Sequence, residues 1–294
     1  MKYCSSACQT EDWAAHKVVC KNVGAARNEE LVPLMMAANN GDVATVEKLL
    51  KAGAKVDGGT IIEGHQQLIT PLLTAAMAGH AAVIAVLLKA GAKVDRATTA
   101  GCTPLFVAAQ LGHRAAVSVL IAAGAEIDVE DEGQCTPLLL TAKDGHEGVL
   151  ELLIKAGGDV NHTSDNGCSP VFGAVQNDHR AVLAMLIKAG ADVNQARDNG
   201  FTSLFVAAQK NHKTVLAMLL NAGADVNSGV RDNGCIPLCI AAAHGHEAVL
   251  VALLEAGAQM TAMDDGRTPL MAAMSGGHTS VVAVLRRWAA GIRS

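Results

Sequence analysis

The chain has 294 residues, half of them apolar and 17% charged, with a formal net charge of −5, so a folded, water-soluble protein is expected without the broad positive field that non-specific nucleic-acid binding requires. Aromatics are only 2%, which disfavours a large enzyme-type core and favours closely stacked small-residue helices. No stretch reaches the length of a membrane span and the chain does not open on a charged-then-apolar leader, so the expectation is an intracellular protein, cytoplasmic or nuclear, whose eight Cys are reduced thiols or metal ligands.

The first predicted element is residues 1–22, where Cys4, Cys8, His16 and Cys20 stand in the spacing C-x3-C-x7-H-x3-C. On a helix His16 and Cys20 share a face, and Cys4 and Cys8 can converge in the same way, so each pair is a half-site for Zn²⁺. With Tyr3-Cys4-Ser5, Cys8-Gln9, Asp12-Trp13 and His16-Lys17 in place, the segment resembles the C-terminal half of a MYND-type zinc finger. That resemblance implies eight ligands around two zinc ions, with Cys4 and Cys8 serving one, His16 and Cys20 the other, and an upstream Cys pair completing each. Met1 is then an internal methionine of a longer protein. A single Cys₃His site is the other arrangement, and in either case zinc binding is expected to be weak or substoichiometric. Residues 23–30 read as a linker.

From residue 31 to 292 the chain repeats. Pro33, Pro71, Pro104, Pro137, Pro170, Ser203 in place of Pro, Pro237 and Pro269 mark eight units at intervals of 38, 33, 33, 33, 33, 34 and 32 residues. Thr70, Thr103, Thr136 and Thr268 precede these marks as helix caps, and Pro takes the first helical position, where a missing N–H costs nothing. Eight residues later a Gly such as Gly79 can turn the chain into a second amphipathic helix, exemplified by Ala81 to Leu88. That helix ends near Gly53, Gly91, Gly124, Gly157, Gly190, Gly223 or Gly257, and a loop with Asp-Asn-Gly turn chemistry leads to the next unit. Five extra residues within Gly58 to Ile69 predict a longer hairpin between units one and two.

Gly, Thr-Pro-Leu, Ala-Ala, Gly-His and Gly-Ala-Asp-Val-Asn recur in register, most fully in 101–128 and 199–227. The pattern resembles the ankyrin repeat and implies an all-α solenoid of stacked helix-turn-helix units with β-hairpin loops, preceded by the small zinc-finger fragment. The family commonly has His two residues after the Pro. Here Met35, Leu73, Phe106, Leu139, Phe172, Phe205, Cys239 and Met271 occupy that place, so apolar packing is expected instead. Asn40-Gly41-Asp42 in unit one and Arg286-Arg287-Trp288 in unit eight predict charged or wet end faces.

His80, His113, His146, His179, His212, His246 and His278 share one repeat offset, which suits a scaffold role between stacked turns rather than catalysis. Cys102, Cys135, Cys168 and Cys235 share another, and neighbouring units stack too far apart for disulfides, so a thiol column is expected. Cys235, Cys239, His244 and His246 belong to different parts of unit seven and are not expected to hold a metal. Without a phosphate loop, a nucleophile elbow or a zincin motif, an enzyme is not expected. The reading is a non-catalytic protein–protein interaction scaffold, monomeric by itself, binding neither nucleic acid nor membrane, with zinc in an auxiliary module. The second reading is a fragment or subunit of a larger zinc-finger enzyme such as a methyltransferase. In ankyrin-like arrays hairpin tips and first-helix ends contact the partner, which maps here to Glu132, Asp165, Asp198, Asp232 and Asp264, and to Gln110, Lys143, Gln176, Gln209 and Lys210.

Overall fold

The computed structural model describes residues 31–61, 68–230, 234–264 and 266–292. Cys4, Cys8, His16 and Cys20 lie outside the described residues, as does Asp232. The chain divides into two compact bodies between Asp165 and Asn166. Among the described residues the first holds four helix pairs: α1 (Leu31–Asn40) with α2 (Val43–Lys51), α3 (Pro71–Ala78) with α4 (Ala81–Lys89), α5 (Pro104–Gln110) with α6 (Arg114–Ala122), and α7 (Pro137–Asp144) with α8 (Glu147–Lys155). The second holds α9 (Pro170–Gln176) with α10 (Arg180–Lys188), α11 (Ser203–Gln209) with α12 (Lys213–Asn221), α13 (Pro237–Ala243) with α14 (Glu247–Glu255), and α15 (Pro269–Ser275) with α16 (Thr279–Ala289). Within each body first helices stack on first helices and second on second, so each body is a two-layer array with its core between the layers.

The first helices begin where the caps place them. Thr70, Thr103, Thr136, Ser169, Thr202 and Thr268 are extended, and each side-chain oxygen accepts the amide N–H three residues on at 3.1–3.3 Å. A cap of this kind contributes about 1 kcal/mol. Two units depart. Helix α1 starts at Leu31, two residues ahead of Pro33, and Ile236 gives α13 no side-chain cap.

Turns between paired helices use left-handed backbone. Gly112 has φ +74°, and a Cβ placed on it would lie 2.7 Å from Nδ1 of His146 in the following unit. Glycine is therefore required twice there, by the dihedral and by the imidazole lying on its α-carbon. After the second helix, Gly91 is left-handed with open space around it, and the bonds Gly91 N–H to Leu88 O and Ala92 N–H to Leu87 O, both 3.0 Å, close a Schellman turn. The ordinary glycine place is Asp178 (φ +56°) in unit five and Asn211 (φ +59°) in unit six, two residue types that tolerate this region.

The expected hairpins form with less strand than the motif implies. The long one carries a true ladder, β1 (Thr60–Ile61) against β2 (Leu68–Ile69), antiparallel in the register Thr60 with Ile69 and Ile61 with Leu68. The shorter ones close on single amide bonds spanning four residues, Thr98 to Cys102, Asp131 to Cys135, Arg197 to Phe201 and Met263 to Arg267. In unit seven the bond runs from Val230 to Cys235, absorbing the extra residue of the 34-residue interval.

Gly112→Ala is expected to destabilise the chain by about 2 kcal/mol, because strain and overlap add. Gly124→Ala, with φ +84° and nothing within 4 Å, should cost only about 1 kcal/mol. Urea midpoints of the two variants measure the difference. Ser203 heads α11 without proline, and its buried Oγ has no hydrogen-bond partner. Ser203→Pro should stabilise by about 0.5–1 kcal/mol in the same titration.

Candidate functional site: hairpin tips and first-helix ends

Within each body the site depends on how one unit is held to the one before it, and five of the recurrent histidines do this at one end. Nε2 of His80 donates to Asn39 O at 2.9 Å, His113 to Met77 O at 2.9 Å, His146 to Gln110 O at 3.0 Å, His246 to Gln209 O at 3.1 Å and His278 to Ala243 O at 3.0 Å. A carbonyl only accepts, so each ring carries its proton on Nε2. The scaffold role expected of these residues holds for all five. His212 breaks the series. Its buried Nε2 has no partner, its Nδ1 lies 3.9 Å from Asp178 Oδ1, and the expected carbonyl, Gln176 O, receives the Lys210 amine at 2.9 Å instead. Asp178, at a place that is glycine in every unit but five and six, supplies the side chain that meets this imidazole.

A second ladder runs along the loops. The side-chain oxygens of Asp57, Asp95, Asp128, Asn194 and Asn227 accept the backbone N–H of Lys93, Glu126, Asp159, Asp225 and Gln259 in the following unit, at 2.8–3.2 Å. Sequence reading recognised these residues as part of the repeat but did not assign them this task. The available signal was a short polar acceptor four residues after each helix-ending glycine.

The hairpin tips are drawn together by backbone. Glu132 N–H donates to Ala100 O at 3.2 Å, Asp165 N–H to Gly133 O at 3.0 Å and, in the second body, Asp198 N–H to Asn166 O at 3.4 Å. Glycine permits the approach: a Cβ on Gly101 would lie 2.8 Å from Glu130 O, and one on Gly167 3.0 Å from Arg197 Cα. Turn chemistry falls to other residues. Asp131 is buried and accepts from Gly133 N–H at 2.9 Å and Cys135 N–H at 2.8 Å, while Asn199 accepts from Phe201 N–H at 3.2 Å. The tip side chains of Glu132, Asp165, Asp198 and Asp264 are exposed, and no hydrogen bond or ion pair among the described residues engages their carboxylates.

These arrangements decide the family. The chain belongs to the ankyrin-repeat family. The family model described as "Ankyrin repeats (3 copies)" matches residues 7–98, 34–131, 138–230 and 227–293. Among solved structures the chain is similar to the human ASB11 ankyrin repeat domain, with 28% identity and a TM-score of 0.65, over 76% of this chain and 97% of that one. A comparison with curated protein sequences returns no match. An ankyrin-repeat array is a protein–protein interaction scaffold, and the hairpin tips are where this one, among the described residues, offers unengaged carboxylates.

The first-helix groups do not all stand where the ankyrin mapping puts them. Gln209 and Lys210 are exposed, and Lys143 and Gln176 half-buried. Gln110 is a correction: at 8% exposure its side chain is folded into the array, with its Oε1 unbonded, because it sits on a seven-residue helix buried along its whole length. Cys102, Cys135, Cys168 and Cys235 are buried free thiols, as expected of them singly. Among the described residues no cluster of three His, Cys, Asp or Glu side chains is placed to hold a metal. In unit seven His244 Nδ1 donates to Ile240 O at 3.0 Å while its ring stacks on His246 at 5.6 Å. No helix among the described residues is long and apolar enough to cross a membrane.

Burial, opposed by the bond to Gln209, holds the His246 pKa below its ordinary 6.5. The hydrogen bond from Arg180, at 2.8 Å, holds the Asp178 carboxyl below 3.8. Both depressed values act with one sign: their stability is complete above the unfolded-state pKa and is lost as pH falls through the folded-state value. Stability should therefore decline on acidification below pH 6.5, and again below 3.8. His246→Gln keeps a donor for Gln209 O but cannot titrate, so its urea midpoint should fall less than that of the parent chain between about pH 7 and pH 5.

Proposed function

We propose that in each body the acidic hairpin tips and the amide and lysine groups of the first helices recruit a basic or amide-rich segment of a protein partner. The exposure of Glu132, Asp165, Asp198 and Asp264, with turn chemistry left to Asp131 and Asn199, supports this reading. Asp232 occupies the same repeat place and belongs to the proposed set. Gln176, Gln209, Lys143 and Lys210 supply directional hydrogen bonds beside the carboxylates. Rim charges of this kind act mostly on association rate and salt sensitivity.

The residues at 1–22 are proposed as an auxiliary protein-binding module of MYND type, with Cys4, Cys8, His16 and Cys20 as zinc ligands. The donor set suits zinc, since thiolate and imidazole are its ordinary tetrahedral ligands. Four ligands complete at most one site, so tight binding of two ions is not open to these residues alone.

Two measurements test the reading. Asp165, Asp198 and Asp232 changed together to Asn keep turn-compatible side chains and remove three charges. Binding of a fluorescent Lys- and Arg-rich peptide at low salt should weaken by about five- to tenfold, at roughly 0.2–1 kcal/mol per exposed charge, and the difference should vanish at about 0.5 M NaCl. Unchanged affinity with unchanged salt dependence overturns the acidic surface. Metal analysis of the purified chain should find less than one tightly held zinc per chain, and two tightly held ions would overturn the half-finger reading.

A further inference from the structure

The last unit presents a stacking surface with nothing described against it. In the second body the residues two and five places into the first helix are Phe172 and Val175, Phe205 and Ala208, and Cys239 and Ala242, and all six are buried. Their equivalents in unit eight are Met271 and Met274, on α15, at 52% and 55% exposure. Only the last unit of the body loses burial at these places, so they are the places that face a following unit. The second helix agrees: Leu183, Leu216 and Leu250 are buried, whereas the corresponding Val282 on α16 is half-buried. Arg286 and Arg287 are exposed at this end, as the expectation of a charged or wet face has it, and on the first-helix side the solvent-facing groups are apolar thioethers.

One charge does lie in the stacking surface. Ile187, Leu220 and Leu254 hold the place eight residues after the recurrent histidine, half-buried or buried, and in unit eight that place is the exposed Arg286. An ordinary repeat would set apolar groups over this guanidinium and desolvate it unpaired, at a cost of several kcal/mol. A second copy docking through the same face would oppose two arginines. We propose that the surface formed by Met271, Met274, Val282 and Arg286 docks an amphipathic helix of a partner protein, one with an apolar stripe and a carboxylate along its edge. The apolar part continues the stacking interface used inside the body, flexible thioethers accommodate side chains of varied shape, and Arg286 selects a carboxylate.

The probe is a synthetic helical peptide of about 18 residues, long enough to hold a helix, with leucines along one stripe and glutamates at its edges. Its control is the same peptide with lysines for the glutamates. Methyl-labelled methionine NMR on the full chain reads the contact, with the exposed Met36 and Met260 as internal references. The Glu peptide should shift Met271 and Met274 and leave Met36 and Met260 unmoved. Arg286→Glu should weaken that peptide at least about fivefold and improve the Lys peptide. Equal shifts at all four methionines, a preference of the parent chain for the Lys peptide, or no effect of Arg286→Glu would overturn the proposal. So would Met271 and Met274 shifts that arise from self-association without peptide, or from phosphatidylserine vesicles but not the Glu peptide. The triple Asp→Asn variant of the hairpin tips should bind the Glu peptide as the parent does, which separates failure here from failure of the acidic surface.

Discussion

One hydrogen bond sets the spacing on which the array depends: the imidazole N–H of one unit donating to a carbonyl at the first-helix end of the unit before it. For that bond to form, the ring must lie across the preceding turn, and the turn must then be without a side chain. Gly41, Gly79, Gly112 and Gly245 all carry the next unit's imidazole within 2.9 Å of where a Cβ would stand. Histidine and glycine of different units are one device, and the Gly-His pair in the sequence is two halves of two successive contacts. Apolar burial supplies most of the stability, but it has no direction along the stack; the imidazole bond does.

Units five and six carry an altered form of this device. Asp178 puts a side chain where glycine would be, His212 loses its carbonyl, and Lys210 takes the acceptor that remains. Ser203, in place of proline, leaves a buried hydroxyl unbonded in the same pair of units. A buried polar group without a partner carries a desolvation cost, and these two units bear it at both His212 and Ser203. Arg197 over the Phe172 ring at 5.3 Å and the tilted pair Phe201 and Phe205 at 4.9 Å add aromatic contacts to the same units.

The loop ladder performs a separate task. Asp57, Asp95, Asp128, Asn194 and Asn227 hold the loops in step, and successive tip amides bond to the preceding hairpin. Because backbone and inward-turned side chains carry this work, Glu132, Asp165 and Asp198 remain available to a partner. The separation of scaffold from surface is visible within three residues of one hairpin: Asp131 is buried in the turn while Glu132 beside it is exposed.

The repeat frame, the capping threonines, the helix pairs and the scaffold role of the histidines were legible in the sequence, because each rests on local chemistry repeated at fixed spacing and repetition separates it from accident. The longer hairpin at 58–69 was legible for the same reason, as an interruption of that spacing. Tertiary structure alone decided which residue of two neighbours faces inward. Gln110 and Gln209 occupy equivalent places, yet one is buried and the other exposed, since burial depends on what the adjoining units place over them. It also decided that Lys210 serves the Gln176 carbonyl and that Asp and Asn in the loops bond the following unit, contacts between residues some thirty positions apart that no local window contains. Met271 reads in sequence like any other apolar helix residue; its exposure comes from having no described unit stacked beyond it.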